Sequence, residues 1–236
     1  QIIPIDSEHN AIFQCLVNED INEINKIILT ASGGPFLNFE ENELNNITPL
    51  EALSHPNWDM GKKITIDSAT LINKALEIIE AHCLFDIDIE KIEALIHPNS
   101  IIHGMVMFQD GSYKSVMSSP NMAMPISFAL NFPQRKPCDM KEINFEEIGK
   151  LEFQKPKSWQ KRNIDLAYWA VKERKTIALN LANEKYVYEF LSGKIKFSEI
   201  YEKTYKTLLK SEPESINSAE DIRDILTEQK SDCQAR

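Results

Sequence analysis

The 236-residue sequence is poor in glycine: it holds seven, at positions 33, 34, 61, 104, 111, 149 and 193. None of them makes the GxGxxG turn that seats a dinucleotide pyrophosphate, so no Rossmann nucleotide site is expected in this chain. A GxSxG elbow and a Walker A loop are also missing, which disfavours α/β-type serine hydrolysis and P-loop phosphoryl transfer. Cys15, Cys83, Cys138 and Cys233 are scattered with no CxxC pair, so they read as reduced thiols. The five histidines never fall at HxxxH spacing. Apolar runs such as Ile27-Ile28-Leu29 are far shorter than the roughly 18 residues that a membrane helix needs. No signal-peptide pattern opens the chain, and the compartment expected is the cytoplasm. Cations are outnumbered, 26 against 36 acids, for a net charge of −10. That balance argues against nucleic acid or an anionic membrane as partner. The first residues, Gln1-Ile2-Ile3-Pro4, contain no methionine, so residue 1 is not expected to be the native start.

What is present reads as a globular protein, with 42% hydrophobic residues and a length able to bury a sizeable core. The first third alternates short strands and helices. Lys26 to Thr30 is a buried-strand candidate closed by the Ser32-Gly33-Gly34-Pro35 turn, and Lys63-Ile64-Thr65-Ile66 is another strand candidate. A helix start is possible near Thr48-Pro49. The clearest helix is expected from an N-cap at Ser68 to about Phe85, with Leu71, Ala75, Ile78, Ile79 and His82 at helical spacing. Ala94-Leu95-Ile96 and the runs Ile101 to Phe108 and Tyr113 to Met117 follow. Asp110-Gly111 between the last two marks a hairpin. From Pro120 to Pro156 five prolines mark an extended connecting segment. After Ser158, four amphipathic segments (164–175, 178–191, 198–210 and 218–230) predict a small helical bundle.

Several segments carry candidate chemistry. Asp6 and Glu8, two apart, face one side if the stretch is extended, and two such close carboxylates call for a divalent cation. The competing reading is ordinary capping of a helix that begins at Glu8. Ser68 at a helix start offers free N–H groups to an anion, with Asn73 and Glu77 sharing a face beside Lys74; a solvated helix face explains the same pattern. Ser32-Gly33-Gly34 is a second anion cradle or a plain turn. The loop from His55 through Trp58 to Gly61 is either a closing flap or an anchored tryptophan.

Taken in order, Asp6-Ser7-Glu8-His9, Ser32-Gly33-Gly34-Pro35-Phe36, His55-Pro56-Asn57-Trp58 with Met60-Gly61-Lys62-Lys63, Asp67-Ser68-Ala69-Thr70 with Asn73, Lys74 and Glu77, and His97-Pro98-Asn99-Ser100 with His103 resemble the 1-deoxy-D-xylulose 5-phosphate reductoisomerase family. The match is strong over about residues 1 to 135 and looser beyond, through Ala178-Leu179-Asn180 and Ala182-Asn183-Glu184. The resemblance implies an α/β (α+β) catalytic domain with a small mixed sheet over 1–131, a proline-rich linker over 132–157 and a C-terminal α-helical bundle over 158–236. The family's N-terminal Rossmann domain would be missing, along with its NADPH phosphate contacts. Ala31 stands where family members often carry glycine.

The implied reaction converts 1-deoxy-D-xylulose 5-phosphate to 2-C-methyl-D-erythritol 4-phosphate, by metal-assisted rearrangement and hydride reduction from NADPH. The resemblance makes Asp6, Glu8 and Glu77 ligands of Mn²⁺ or Mg²⁺. Ser32, Ser68, Asn73 and Lys74 would hold the substrate phosphate with His55 close by, and Ser7 would touch the substrate backbone. Trp58 and Met60 would sit on the flap. Glu8, Glu77, His55, His103 and Lys74 would be catalytic, with Gly61 and Met122 on the nicotinamide side. The chain alone would be inactive and, through its methionine-bearing strands, homodimeric. The alternatives are a stand-alone metal- and phosphate-binding module without turnover, and a partner-recruiting scaffold.

Overall fold

The computed structural model describes residues 2–55, 58, 60–216 and 218–234, and side chains as far as residue 227. The expected flap residues Pro56, Asn57 and Asp59, and the side chain of Cys233, lie outside that set. Cys15, Cys83 and Cys138 are free thiols.

The organising element is a four-stranded mixed sheet in the order β2-β1-β3-β4. Helix α1 (Ser7–Leu16) precedes β1 (Ile24–Ala31), and α2 (Pro49–Ala52), α3 (Lys62–Thr70) and α4 (Ile72–Phe85) follow it. Then come β2 (Ile92–Ile96), β3 (Ile102–Phe108) and β4 (Tyr113–Met117). β1 runs parallel to β2 and antiparallel to β3, and the Asp110-Gly111 turn joins β3 to β4 as expected. Strand alternation sends Ile27, Leu29, Ile92, Val106 and Phe108 to one face, where Ile12 of α1 and Ala75 and Ile78 of α4 complete a buried core. Gly104 lets α1 lie close on β3: a Cβ there would sit 2.9 Å from Ile12 Cδ1 and 3.3 Å from the Glu8 carbonyl. The opposite face carries Lys26, Ile28, Met105, Met107 and Tyr113 and is only partly covered.

Two expectations need correction. Lys63-Ile64-Thr65-Ile66 is helical, the first turns of α3, although β-branched residues favour strands. Burial of Ile66 and Ala69 on one helical face, with a Lys63–Asp67 ion pair at i,i+4, overrides that preference. Ser68 is therefore not an N-cap. It lies in the last turn of α3, and a break at Leu71, with φ of 63°, separates α3 from α4.

Helices also occur inside the proline-rich stretch: α5 (Ala123–Asn131), with Pro125 tolerated in its first turn, and the short α6 (Phe145–Ile148). Beyond them Gln154 pairs with Ile96 at the sheet edge, with N···O distances of 3.1 and 2.9 Å. The expected helices appear as α7 (Ser158–Lys172), α8 (Thr176–Leu191), α9 (Glu199–Lys210) and α10 (Ala219–Gln234). Ser218 and Asp221 form the expected capping box. α7 and α8 pack on α3 and α4, so the cores straddle both halves of the chain. Ile66, Ala69 and Ile72 share one core with Trp159, Val187, Phe190 and Ile200.

The turn at 33–34 fixes the end of α3. Gly34 has φ of +65°, and a Cβ would meet the Ser68 carbonyl at 2.8 Å and Ala69 Cα at 3.0 Å. Gly34→Ala should therefore lose about 1–3 kcal/mol in urea unfolding through backbone strain and that clash. An unchanged midpoint would show that the turn is loose against α3.

Candidate active site

α1, the end of β1, the α3–α4 joint and β3 surround a cleft of about 280 Å³. It is lined by Asp6, Ser7, Glu8, Ser32, His55, Trp58, Met60, Ser68, Asn73, Lys74, Glu77, His103 and Met122. Among the sequence-predicted site residues only Gly61 does not line it; Gly61 is the exposed N-cap of α3.

At one end stand the carboxylates. Asp6, Glu8 and Glu77 each bring an oxygen within 4.8 Å of the others. The capping reading and the cation reading of Asp6-Ser7-Glu8 meet here. α1 does begin at Ser7, but the Asp6 side chain makes no cap and instead accepts from His9 Nδ1 at 2.8 Å. Lys74, buried in the first turn of α4, donates to Glu8 Oε1 at 2.8 Å and to Glu77. Asn73 donates to Glu77, and Ser7 to Glu8. Asn73 and Lys74 are thus engaged with the carboxylates rather than with Ser32 and Ser68.

The charges tune one another. Burial opposes ionisation of Glu77, and repulsion from Glu8 adds to it, so its pKa lies well above the ordinary value despite Lys74. Burial would discharge Lys74, but Glu77 and Glu8 outweigh it and raise its pKa. For Asp6, the bond to His9 and the charges of His9 and Lys74 overcome burial and lower its pKa. His9 was missed as a site residue. Its only sequence signal is the i,i+3 spacing from Asp6 once a helix starts there. The ring is fully buried between two acceptors, the Asp6 carboxylate and, at 2.9 Å from Nε2, the Glu77 carbonyl. Desolvation is outweighed by the Asp6 bond and nearby acids, and its pKa rises to about 9.

At the other end, His55 Nε2 lies 3.2 Å from Ser32 Oγ and 3.1 Å from Ser68 Oγ. Its Nδ1 accepts from the Trp58 N–H at 3.0 Å, which leaves the proton on Nε2, facing the two hydroxyls. Burial lowers the His55 pKa, which keeps the ring neutral. Across the cleft His103 Nε2 contacts Ser118 Oγ at 2.9 Å, and burial lowers its pKa as well. Thr30, also unforeseen, lines the wall and donates to the carbonyls of Ile102 and His103. The three carboxylate donors suit a hard divalent cation, and the Lys74 ammonium already sits among them.

Comparison with known proteins decides the family. A profile of the 1-deoxy-D-xylulose 5-phosphate reductoisomerase C-terminal domain matches residues 2–85, and one of the DXP reductoisomerase C-terminal domain matches residues 117–231. The chain belongs to the 1-deoxy-D-xylulose 5-phosphate reductoisomerase family. A family member from Clostridium tetani is 54% identical over 201 residues, which cover 84% of this chain and 52% of that protein. Among solved members, a DOX-P reductoisomerase in complex with NADPH, fosmidomycin and magnesium superposes with a TM-score of 0.91 at 37% identity. That match covers 98% of this chain and 61% of the other. The Zymomonas mobilis member in complex with NADPH gives a TM-score of 0.89 at 39% identity, covering 96% and 59%. The chain thus spans about half to three fifths of the length of the family members it matches.

The His9 assignment has a pH consequence. Its folded pKa lies above the unfolded value of about 6.5, so its stabilisation is complete below that pH and is lost as pH rises toward 9. In chelator, the urea midpoint of the unsubstituted chain should fall more steeply between pH 7 and 9 than that of His9→Gln. Parallel profiles would contradict a charged His9.

Proposed function

We propose that this chain is the metal- and substrate-binding part of an NADPH-dependent reductoisomerase that converts 1-deoxy-D-xylulose 5-phosphate to 2-C-methyl-D-erythritol 4-phosphate. The observation that carries the reading is the two-ended cleft: three converging carboxylates at one end and the Ser32–His55–Ser68 donor group at the other. In this reading residues 1–131 form the catalytic domain, 132–157 the linker and 158–236 the helical domain, and the protein works in the cytoplasm.

Ser32, His55 and Ser68 hold the substrate phosphate through two hydroxyls and one imidazole N–H. Fixing the phosphate there lets remote binding energy act at the reacting carbons. Asn73 and Lys74, already turned toward Glu77, meet the hydroxyl-bearing end of the substrate, and Ser7 contacts its oxygenated backbone. Asp6, Glu8 and Glu77 would hold Mg²⁺ or Mn²⁺, which when bound would supply Lewis acidity to the substrate. Trp58 and Met60 close over the cleft and exclude water. His103, Met122 and Gly61 would border the nicotinamide side of the cleft, where NADPH, when bound, would supply a hydride. With no glycine-rich pyrophosphate turn, the chain binds metal and ligand but does not turn over alone. The partly covered sheet face with Met105, Met107 and Tyr113, continued by exposed Met117, supports a homodimer through these strands.

Calorimetric titration of Mg²⁺ into the chain, with and without fosmidomycin, tests this reading. One site should appear, tighten with fosmidomycin, and weaken at least about tenfold in Glu77→Gln, as expected for loss of one charged ligand. Equal binding by both proteins would remove Glu77 from the site, and NADPH oxidation by the chain with substrate would overturn its inactivity.

A further inference from the structure

The break between α3 and α4 has a weak local signal: the Thr70 hydroxyl donates to the Ile66 and Asp67 carbonyls and accepts from the Ile72 N–H at 3.4 Å. No glycine or proline occupies positions 62–85, and the helical spacing read from Ser68 onward passes through Leu71 with no stop signal. Yet Leu71 adopts φ 63°, ψ 13°, a left-handed conformation that costs a side-chain-bearing residue about 1 kcal/mol. The site needs that break. In a straight helix Asn73 would project about 140° around the axis from Ser68, and Lys74 about 120° in the other direction. With the break, all three line one cleft.

Beyond the local Thr70 bonds, side chains from the helical part of the chain hold the joint. Asn163 of α7 donates from Nδ2 to the Thr70 carbonyl at 2.6 Å, one residue before Leu71. Asn183 of α8 donates to Asp67 Oδ1 at 2.7 Å, one turn earlier on the same helix face. Asp67 also pairs with Lys63 at 2.6 Å, and Asp67, Asn163 and Asn183 are all buried. Gly34 lies close against the Ser68 and Ala69 backbone, where a Cβ would meet the Ser68 carbonyl at 2.8 Å. A helix-terminal carbonyl such as Thr70's needs a partner when buried, and a continuous helix would supply one from its own backbone. Asn163 supplies it while the helix stays broken.

We propose that Asn163, supported by Asn183, is a positioning residue that keeps the α3–α4 joint open and thereby sets Ser68 against Asn73 and Lys74. The helical domain in this way acts on ligand geometry without touching ligand. The inference rests on the assignment of Ser68 and its neighbours to the phosphate end of the ligand.

Two measurements on the full 236-residue chain test it: fosmidomycin affinity in Mg²⁺, and the NMR coupling and ¹³Cα shift that report φ at Leu71. Asn163→Leu is nearly isosteric but cannot donate, and Asn163→Ser is a milder change too short to reach Thr70. Leu208→Ala, in the core between α7, α8 and α9, is the control for general destabilisation. Both Asn163 variants should move the Leu71 signals toward ordinary helix and weaken fosmidomycin about tenfold or more, as misplacement of a binding group by about 1 Å does. Leu208→Ala should leave both within twofold of the unsubstituted chain at a temperature where each protein is folded. Unchanged Leu71 signals and affinity in Asn163→Ser, or equal losses in Leu208→Ala, would overturn the proposal. If the unsubstituted chain itself fails to bind fosmidomycin, the phosphate assignment fails, while the Leu71 signals still decide whether Asn163 holds the joint.

Discussion

The Lys74 ammonium, buried between Glu8 and Glu77, is the contact on which the site depends. Three carboxylates within 4.8 Å would repel one another strongly in a half-buried cleft. One cation on a rigid helix relieves that repulsion and ties α1 to α4, since Glu8 and Lys74 are 66 residues apart in sequence. His9 ties the same two helices by bonding Asp6 and the Glu77 carbonyl. Each cation faces an anion that has hydrogen-bond partners of its own, as a buried ion cluster requires. Attraction outweighs desolvation for Lys74 and His9, and the three carboxylates stand within 4.8 Å of one another, so a divalent ion arriving at these oxygens meets ligands already gathered.

The rest of the fold keeps these groups in register. Gly104 lets α1 lie close over β3, which places the Asp6–Glu8 end beside His103. The shared core of Ile66, Ala69 and Ile72 with Trp159, Val187 and Phe190 makes the helical domain a wall behind α3 and α4 rather than an appendage. The connecting segment is held as well: Gln154 pairs with Ile96, and His97 Nδ1 bonds the Glu152 carbonyl at 2.7 Å.

Local chemistry made much of the fold legible. Alternation in 102–108 and 113–117 around Asp110-Gly111, and helical spacing after Ser158, correspond to β3, β4 and the helices from α7 onward. The strand expected at 63–66 and the cap expected at Ser68 failed for one reason: α3 is set by packing on α8 and by the Asn183–Asp67 bond, which spans 116 residues, and these add to the local Lys63–Asp67 pair. The two-residue spacing of Asp6 and Glu8 hinted at a cation and the shared face of Asn73 and Glu77 at a second polar site, but only the family resemblance joined Glu77 to Asp6 and Glu8, because spacing cannot reveal a partner 69 residues away. The Ser32–His55–Ser68 group was likewise invisible as geometry. His9 was hidden because it matters only once α1 begins at Ser7.

The most direct test of the central contact is the stability of Lys74→Met in chelator and in millimolar Mg²⁺. Removing the ammonium leaves the buried carboxylates without their cation, so the variant should lose about 3–5 kcal/mol in chelator. It should recover a large part of that loss in Mg²⁺, with a larger gain than the unsubstituted chain shows. A variant as stable as the unsubstituted chain in chelator, and indifferent to Mg²⁺, would contradict the account.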